Sequence, residues 1–146
     1  GTQEFGMRAG TENVASIVGM AVALKKNTDD LNSTQQHLLT LEEELLENIG
    51  ELAYIRNGAK NHVPGNISLS FAGADGEALL HRLDLKGICI STGSACDSVN
   101  TQISHVLQAI SLDESHAKGT IRISLGKSNT ERDVIQIAEA LKHILQ

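Results

Sequence analysis

Two short segments alternate between apolar and polar at every residue. Ile67, Leu69 and Phe71 alternate with Ser68 and Ser70, and Ile121, Ile123 and Leu125 alternate with Arg122 and Ser124. Successive side chains of a strand point to opposite faces, so each segment reads as a strand with one apolar and one polar face. Such a sheet needs a covering layer. Val14, Ile17, Val18, Ala21 and Leu24 recur at helical spacing, and a longer stripe (Leu31, Leu38, Leu41, Leu45, Ile49, Leu52) spans about 30–52. Glu42, Glu43, Glu44 and Glu47 fall mostly off that stripe and read as a solvated face. Further helices are expected over 77–85, 103–110 and 130–145, the last capped by Thr130 with Asp133 in the reciprocal position. Short strands are expected at 53–56 and at Ile88-Cys89-Ile90. The element order gives an α+β or α/β layer of helices against a small sheet.

With aromatics at 2 % and no Trp, the core of this 146-residue chain has to be aliphatic. Acids exceed bases by 18 to 12, a net charge of −6. DNA binding is therefore not expected, because phosphate contacts need clustered Lys and Arg. No window approaches the ~18 apolar residues of a membrane helix. There is no signal-peptide pattern, and two cysteines make no disulfide framework. The expected setting is reducing and cytoplasmic, away from membranes. The chain opens inside a glycine-containing loop without Met, as a piece of a longer protein would.

Three residues stand out for chemistry. Cys96 lies in the small-residue loop Ser91-Thr92-Gly93-Ser94-Ala95-Cys96; read alone, it is either a partly exposed nucleophile or a small buried hydrophobe. Cys89, between Ile88 and Ile90, reads as core. Arg122 sits mid-strand on the polar face, where a guanidinium either grips a carboxylate with two parallel hydrogen bonds or pairs with a nearby acid. In Arg8-Ala9-Gly10-Thr11 a glycine leads into a helix start with Thr11 as its N-cap; this is an anion site or an ordinary cap. The six histidines are scattered without metal-ligand spacing, so no metal site is expected.

Four segments occur in one order: Gln3-Glu-Phe-Gly-Met-Arg-Ala-Gly-Thr-Glu-Asn13, Val63-Pro-Gly-Asn-Ile-Ser-Leu-Ser70, Ile90-Ser-Thr-Gly-Ser-Ala-Cys96 and Ile121-Arg-Ile-Ser-Leu-Gly126. Together they resemble the C-terminal part of the group I cysteine desulfurases, pyridoxal-phosphate enzymes of the class V aminotransferase family. The polar run after Cys96, Asp97 to Thr101, suits that group. The resemblance implies the small C-terminal domain of a fold-type-I enzyme: a mainly antiparallel sheet covered by helices over 53–146. A loop and long connecting helices would occupy 1–52. It implies that Cys96 takes the sulfur of L-cysteine as a persulfide and that Arg122 holds the substrate carboxylate. Thr11 would reach the cofactor phosphate of the other subunit of a homodimer. Alanine would be released, and sulfur would pass to an acceptor protein for iron-sulfur cluster, thio-cofactor or tRNA biosynthesis. The family's cofactor-binding lysine matches none of Lys25, Lys26, Lys60, Lys86, Lys118, Lys127 and Lys142, so these residues alone should bind no pyridoxal phosphate and be inactive. Another class V lyase or aminotransferase, and a stand-alone sulfur carrier, are the competing readings. Without a covering domain the Leu31–Leu52 stripe should be partly bare and favour self-association.

Overall fold

The computed structural model describes residues 3–92 and 103–146, which fall into two compact units, Gly1–Ser33 and Thr34–Gln146.

In the first unit, a tight reversal at Glu4–Gly6 is closed by Gly6 N–H donating to the Gln3 carbonyl and Met7 N–H to that of Glu4, both at 3.1 Å. Helix α1 follows over Val14–Asp29. Its N-cap is Asn13, whose side-chain oxygen accepts from Ser16 N–H at 3.1 Å. Thr11 therefore lies outside the cap position expected for it. No residue of α1 is buried.

Helix α2, Leu31–Asn48, starts before the boundary between the units and ends short of the 52 expected from its stripe, at the Gly50 turn. In the second unit, strands β1 (Ile55–Asn57), β2 (Asn66–Ser70), β3 (Ser91–Thr92) and β4 (Thr120–Ser124) form a sheet of order β1-β2-β4-β3 with every pair antiparallel. This is the small antiparallel sheet that the resemblance implies. One face carries Ile67, Leu69, Ile121 and Ile123, all buried. Against it cluster Leu41, Leu45 and Ile49 from α2 and the adjoining turn. Leu79 and Leu83 come from α3 (Gly76–Asp84), and Val134, Ile137, Ala138 and Leu141 from α6 (Glu131–Leu145). The core is aliphatic but for Phe71, with Tyr54 tilted against it at a centroid distance of 6.2 Å. The leucine stripe is thus largely covered from Leu38 onward. The Thr130–Asp133 capping box at the start of α6 forms as its spacing requires.

Three details differ from the sequence reading. The strand near 88–90 is displaced to Ser91–Thr92: Ile88 turns into the core, and Cys89 is exposed instead of buried. The helix expected over 103–110 is the shorter α4, His105–Ala109. An unexpected single turn, α5 (Glu114–Ala117), is capped by Asp113. Gly119 joins that turn to β4, where a Cβ would stand 2.1 Å from the Phe71 carbonyl oxygen; only glycine lets the two backbones meet.

Candidate functional site

The other face of the sheet is polar by the same alternation that builds the core, buried at Ser70 and Thr120 and open at Arg122. Burial of Ile121 and Ile123 leaves Arg122 exposed between them. Its direct cross-strand neighbours are Ser68 on β2 and Ser91 on β3, and Asn57 on β1 is in turn opposite Ser68. One row, Asn57–Ser68–Arg122–Ser91, therefore crosses all four strands with the guanidinium as its only charge. The ion pairs among the described residues do not include Arg122, which removes the paired surface arginine as an account of it there.

Hydrogen bonds tie this face together. Asn57 Nδ2 donates to Ser68 Oγ at 3.1 Å and to Ser70 Oγ at 2.7 Å. Ser70 Oγ lies 2.7 Å from Thr120 Oγ1, which donates to the His116 carbonyl at 3.1 Å. Ser91 Oγ donates to the Thr92 carbonyl at 3.0 Å. Asn57 Oδ1 is buried and finds no partner.

Thr11 belongs to the first unit and is exposed, and among the described residues its hydroxyl has no hydrogen-bond partner, since Asn13 does the capping. Arg122 belongs to the second unit. Cys96, with the rest of the loop beyond Thr92, lies outside the described residues.

Sequence reading missed a buried ionic cluster. Glu42, assigned there to a solvated face, is 2 % exposed. Its carboxylate receives Arg56 Nη2, His62 Nε2 at 2.9 and 3.0 Å, and the Gly65 N–H at 3.3 Å. A buried carboxylate is tolerated when its lone pairs are filled in this way. The hydrogen bond to Glu42 raises the His62 pKa above its ordinary value, assisted by the Lys60 carbonyl that its Nδ1 meets at 3.0 Å and opposed by desolvation and, less, by Arg56. The cluster ties α2 to β1 and to the β1–β2 connection. Near α5, Asp113 accepts from Ser115 Oγ at 2.6 Å, and its other oxygen lies 2.6 Å from His116 Nδ1. The Ser115 hydroxyl, then the His116 backbone and ring, hold the Asp113 pKa down at about 2. Here the serine donates to the carboxylate, which caps the turn and leaves no activated hydroxyl.

All the lysines but Lys142 are exposed, and Lys142 pairs with Glu51 at 3.4 Å. Among the described residues no group of three or more His, Cys, Asp or Glu is placed to hold a metal ion, and no helix is long and apolar enough to cross a membrane.

The chain is 37 % identical to cysteine desulfurase IscS of Dictyoglomus turgidum and 43 % identical to an IscS-like cysteine desulfurase of Mycobacterium tuberculosis. The first match covers 100 % of this chain and 38 % of the relative, the second 97 % and 37 %. The chain thus spans under two-fifths of the length of these relatives. The crystal structure of a NifS-like protein from Rickettsia africae superposes with a TM-score of 0.85 at 32 % identity, over 99 % of this chain and 38 % of that one. The family model of class-V aminotransferases matches residues 2–137, so the strand bearing Arg122 and the turn bearing Thr11 both lie within it, and the chain belongs to the class-V aminotransferase family.

Proposed function

We propose that these residues form the substrate-gripping small-domain part of a cysteine desulfurase. That enzyme would be a cytoplasmic homodimer, converting L-cysteine to L-alanine and leaving the sulfur as a persulfide. The observation that carries the reading is Arg122: an exposed guanidinium held mid-strand on a polar face, free of carboxylate partners among the described residues. A guanidinium so placed can receive a substrate α-carboxylate through two parallel hydrogen bonds.

Pyridoxal phosphate, the cofactor of the family, supplies an electron sink for the substrate's α-carbon when bound. Two features of this chain fit it: Arg122 for the substrate, and the uncommitted Thr11 hydroxyl beside Gly10 for the phosphate held by a partner subunit. Covalent attachment does not fit. A lysine that attacks a carbonyl needs a desolvated amine, whereas six of the seven lysines are exposed and Lys142 is ion-paired. The attachment is therefore assigned to residues outside these 146, and the 146 alone are inactive. Borohydride trapping of a stoichiometric cofactor adduct on any of these lysines would overturn that assignment.

Cys96 is the proposed sulfur acceptor. Its thiolate forms an S–S bond to the substrate sulfur as the substrate's C–S bond breaks. The electron pair stays with carbon, which takes a proton, so L-cysteine and a thiol become L-alanine and a persulfide. A sulfur-acceptor protein then draws the outer sulfur from Cys96. In the full-length enzyme, Cys96→Ala should abolish persulfide formation. Persulfide and alanine yields equal to wild type would sink the desulfurase reading and leave a different class-V reaction.

A further inference from the structure

We propose that Ser68 is a second donor to the carboxylate gripped by Arg122, and that Asn57 is the residue that positions it. This deepens the carboxylate-binding reading of Arg122 and rests on it.

The argument follows the protons along the polar face. Thr120 Oγ1 donates to the His116 carbonyl. With that proton committed, the 2.7 Å contact between Thr120 and Ser70 requires the proton of Ser70. Ser70 accepts in turn from Asn57 Nδ2 at 2.7 Å, and the second proton of the same amide goes to Ser68 Oγ at 3.1 Å. The network thus orients the amide, with both N–H groups toward the serines. The buried, partnerless Asn57 Oδ1 is the consequence of that orientation. Such an acceptor is costly, and what the arrangement secures is two hydroxyls held as acceptors on the Asn57 side.

Within this network Ser70 and Thr120 each accept on one side and donate on the other, whereas the Ser68 proton meets no acceptor among the described residues. Its cross-strand partner on β4 is Arg122. Directly opposed side chains have Cβ atoms roughly 5 Å apart, and a guanidinium has five N–H donors and no acceptor. Ser68 Oγ keeps a lone pair besides the one that Asn57 fills, yet no hydrogen bond joins it to Arg122 among the described residues, so the Ser68 proton and the guanidinium donors lie on adjacent strands without a shared acceptor. A carboxylate, with about four lone-pair sites, accepts two bonds from the guanidinium and has room for the serine. Ser91, the other neighbour of Arg122, spends its proton on the Thr92 carbonyl and adds no donor. The row is therefore asymmetric, with its extra donor on the Ser68 side.

The test compares two ligands of the full-length enzyme by calorimetry. L-Alanine has the carboxylate; L-alaninamide has the same amine and a neutral amide instead. The readout is the ratio of the two dissociation constants. Arg122→Gln should collapse the preference for L-alanine. Ser68→Ala should reduce it roughly ten-fold, as expected for one hydrogen bond to a charged group, by weakening L-alanine alone, and Ser68→Thr should restore it. Asn57→Ala should act in the same direction, and the Asn57→Ala/Ser68→Ala double variant should lose no more than Ser68→Ala. A wild-type ratio in Ser68→Ala, or equal weakening of both ligands, overturns the Ser68 assignment while the Arg122 reading stands. Additive losses in the double variant overturn the role of Asn57. An unchanged ratio in Arg122→Gln overturns the carboxylate reading itself.

Discussion

Helix α1 keeps Val14, Ile17, Val18, Met20, Val22 and Leu24 at least 49 % exposed, whereas α6 buries Val134, Ile137, Ala138, Ala140 and Leu141. Both show helical spacing of apolar residues. In α6 the buried apolar positions form one stripe, and the exposed positions are polar: Glu131, Arg132, Gln136, Glu139 and His143. In α1 Met20 and Val22 extend the apolar surface beyond the Val14–Leu24 stripe, a composition suited to a helix covered on several sides. Apolar periodicity therefore identifies a helix without saying what covers it. The unit from Thr34 onward should answer sharply to substitution, and α1 weakly. Tyr54, the only Tyr in a chain without Trp, packs on Phe71 in the second unit, so its fluorescence follows that unit alone.

The largest effect is expected at Gly119. An added methyl group meets the Phe71 carbonyl at 2.1 Å and Ala74 at 3.1 Å, and neither obstacle is the end of a flexible side chain. Gly119→Ala should cost about 3 kcal/mol or more, because overpacking against backbone forces the chain to move. Denaturant titration followed by Tyr54 fluorescence measures it. A loss below about 1 kcal/mol would mean that the β4 junction yields, and that the second unit is less tightly built than its core implies.

Next comes Glu42→Gln, which leaves Arg56 and His62 without their carboxylate. Breaking a fully buried ion pair costs about 3–5 kcal/mol. Arg56 retains 36 % of its side-chain exposure, so about 2 kcal/mol is expected after solvent screening. The same titration reads it. The equivalent change at exposed Glu43 should lie within about 0.5 kcal/mol of wild type. The contrast separates two glutamates that are adjacent in sequence and indistinguishable by composition.

That pair also marks where sequence reading runs out. Strands β2 and β4 were legible because one face of each is buried, which writes alternation into the residues. Helix α6 was legible from its capping box and stripe. Glu42 was not: its partners lie 14 to 23 positions away, and only the folded β1–β2 connection brings them to it. Strand β3 was misplaced because Ile88 and Ile90 suggest a strand by composition, while the pairing is set by register with Arg122 and Ile121. At the candidate site, Arg122 was identified from its strand position. Its row mates Asn57, Ser68 and Ser91 were not, since cross-strand register belongs to no local segment. The short helix α5 had a visible signal in Asp113, an N-cap residue followed by Glu.

A smaller effect follows from His62. Its pKa is raised in the folded chain by the Glu42 carboxylate. Folding is therefore favoured by protonation of His62: the contribution is fully present below the unfolded value of about 6.5 and is lost as pH rises through the higher folded value. The stability of the second unit should decline over that interval, and His62→Gln should flatten the decline. Melting curves by Tyr54 fluorescence between pH 5.5 and about 8.5, a span set around the unfolded value, read the difference. Equal slopes for wild type and variant would show that the histidine does not sense the buried carboxylate.

The smallest change tests the other side of the comparison. Gly19 lies inside α1, and nothing stands within 4 Å of where its Cβ would be. Glycine within a helix costs about 0.5–1 kcal/mol relative to alanine, because it gives up more backbone freedom on folding. Gly19→Ala should therefore strengthen α1, read as increased helical circular dichroism at elevated temperature, and leave the Tyr54 transition where it was. The same Gly→Ala replacement would then stabilise one helix and disrupt the junction at Gly119, with only the surroundings of the new methyl group deciding the sign. A Tyr54 transition that moved together with Gly19→Ala would show instead that the two units unfold as one, and the division at Ser33 would lose its thermodynamic meaning.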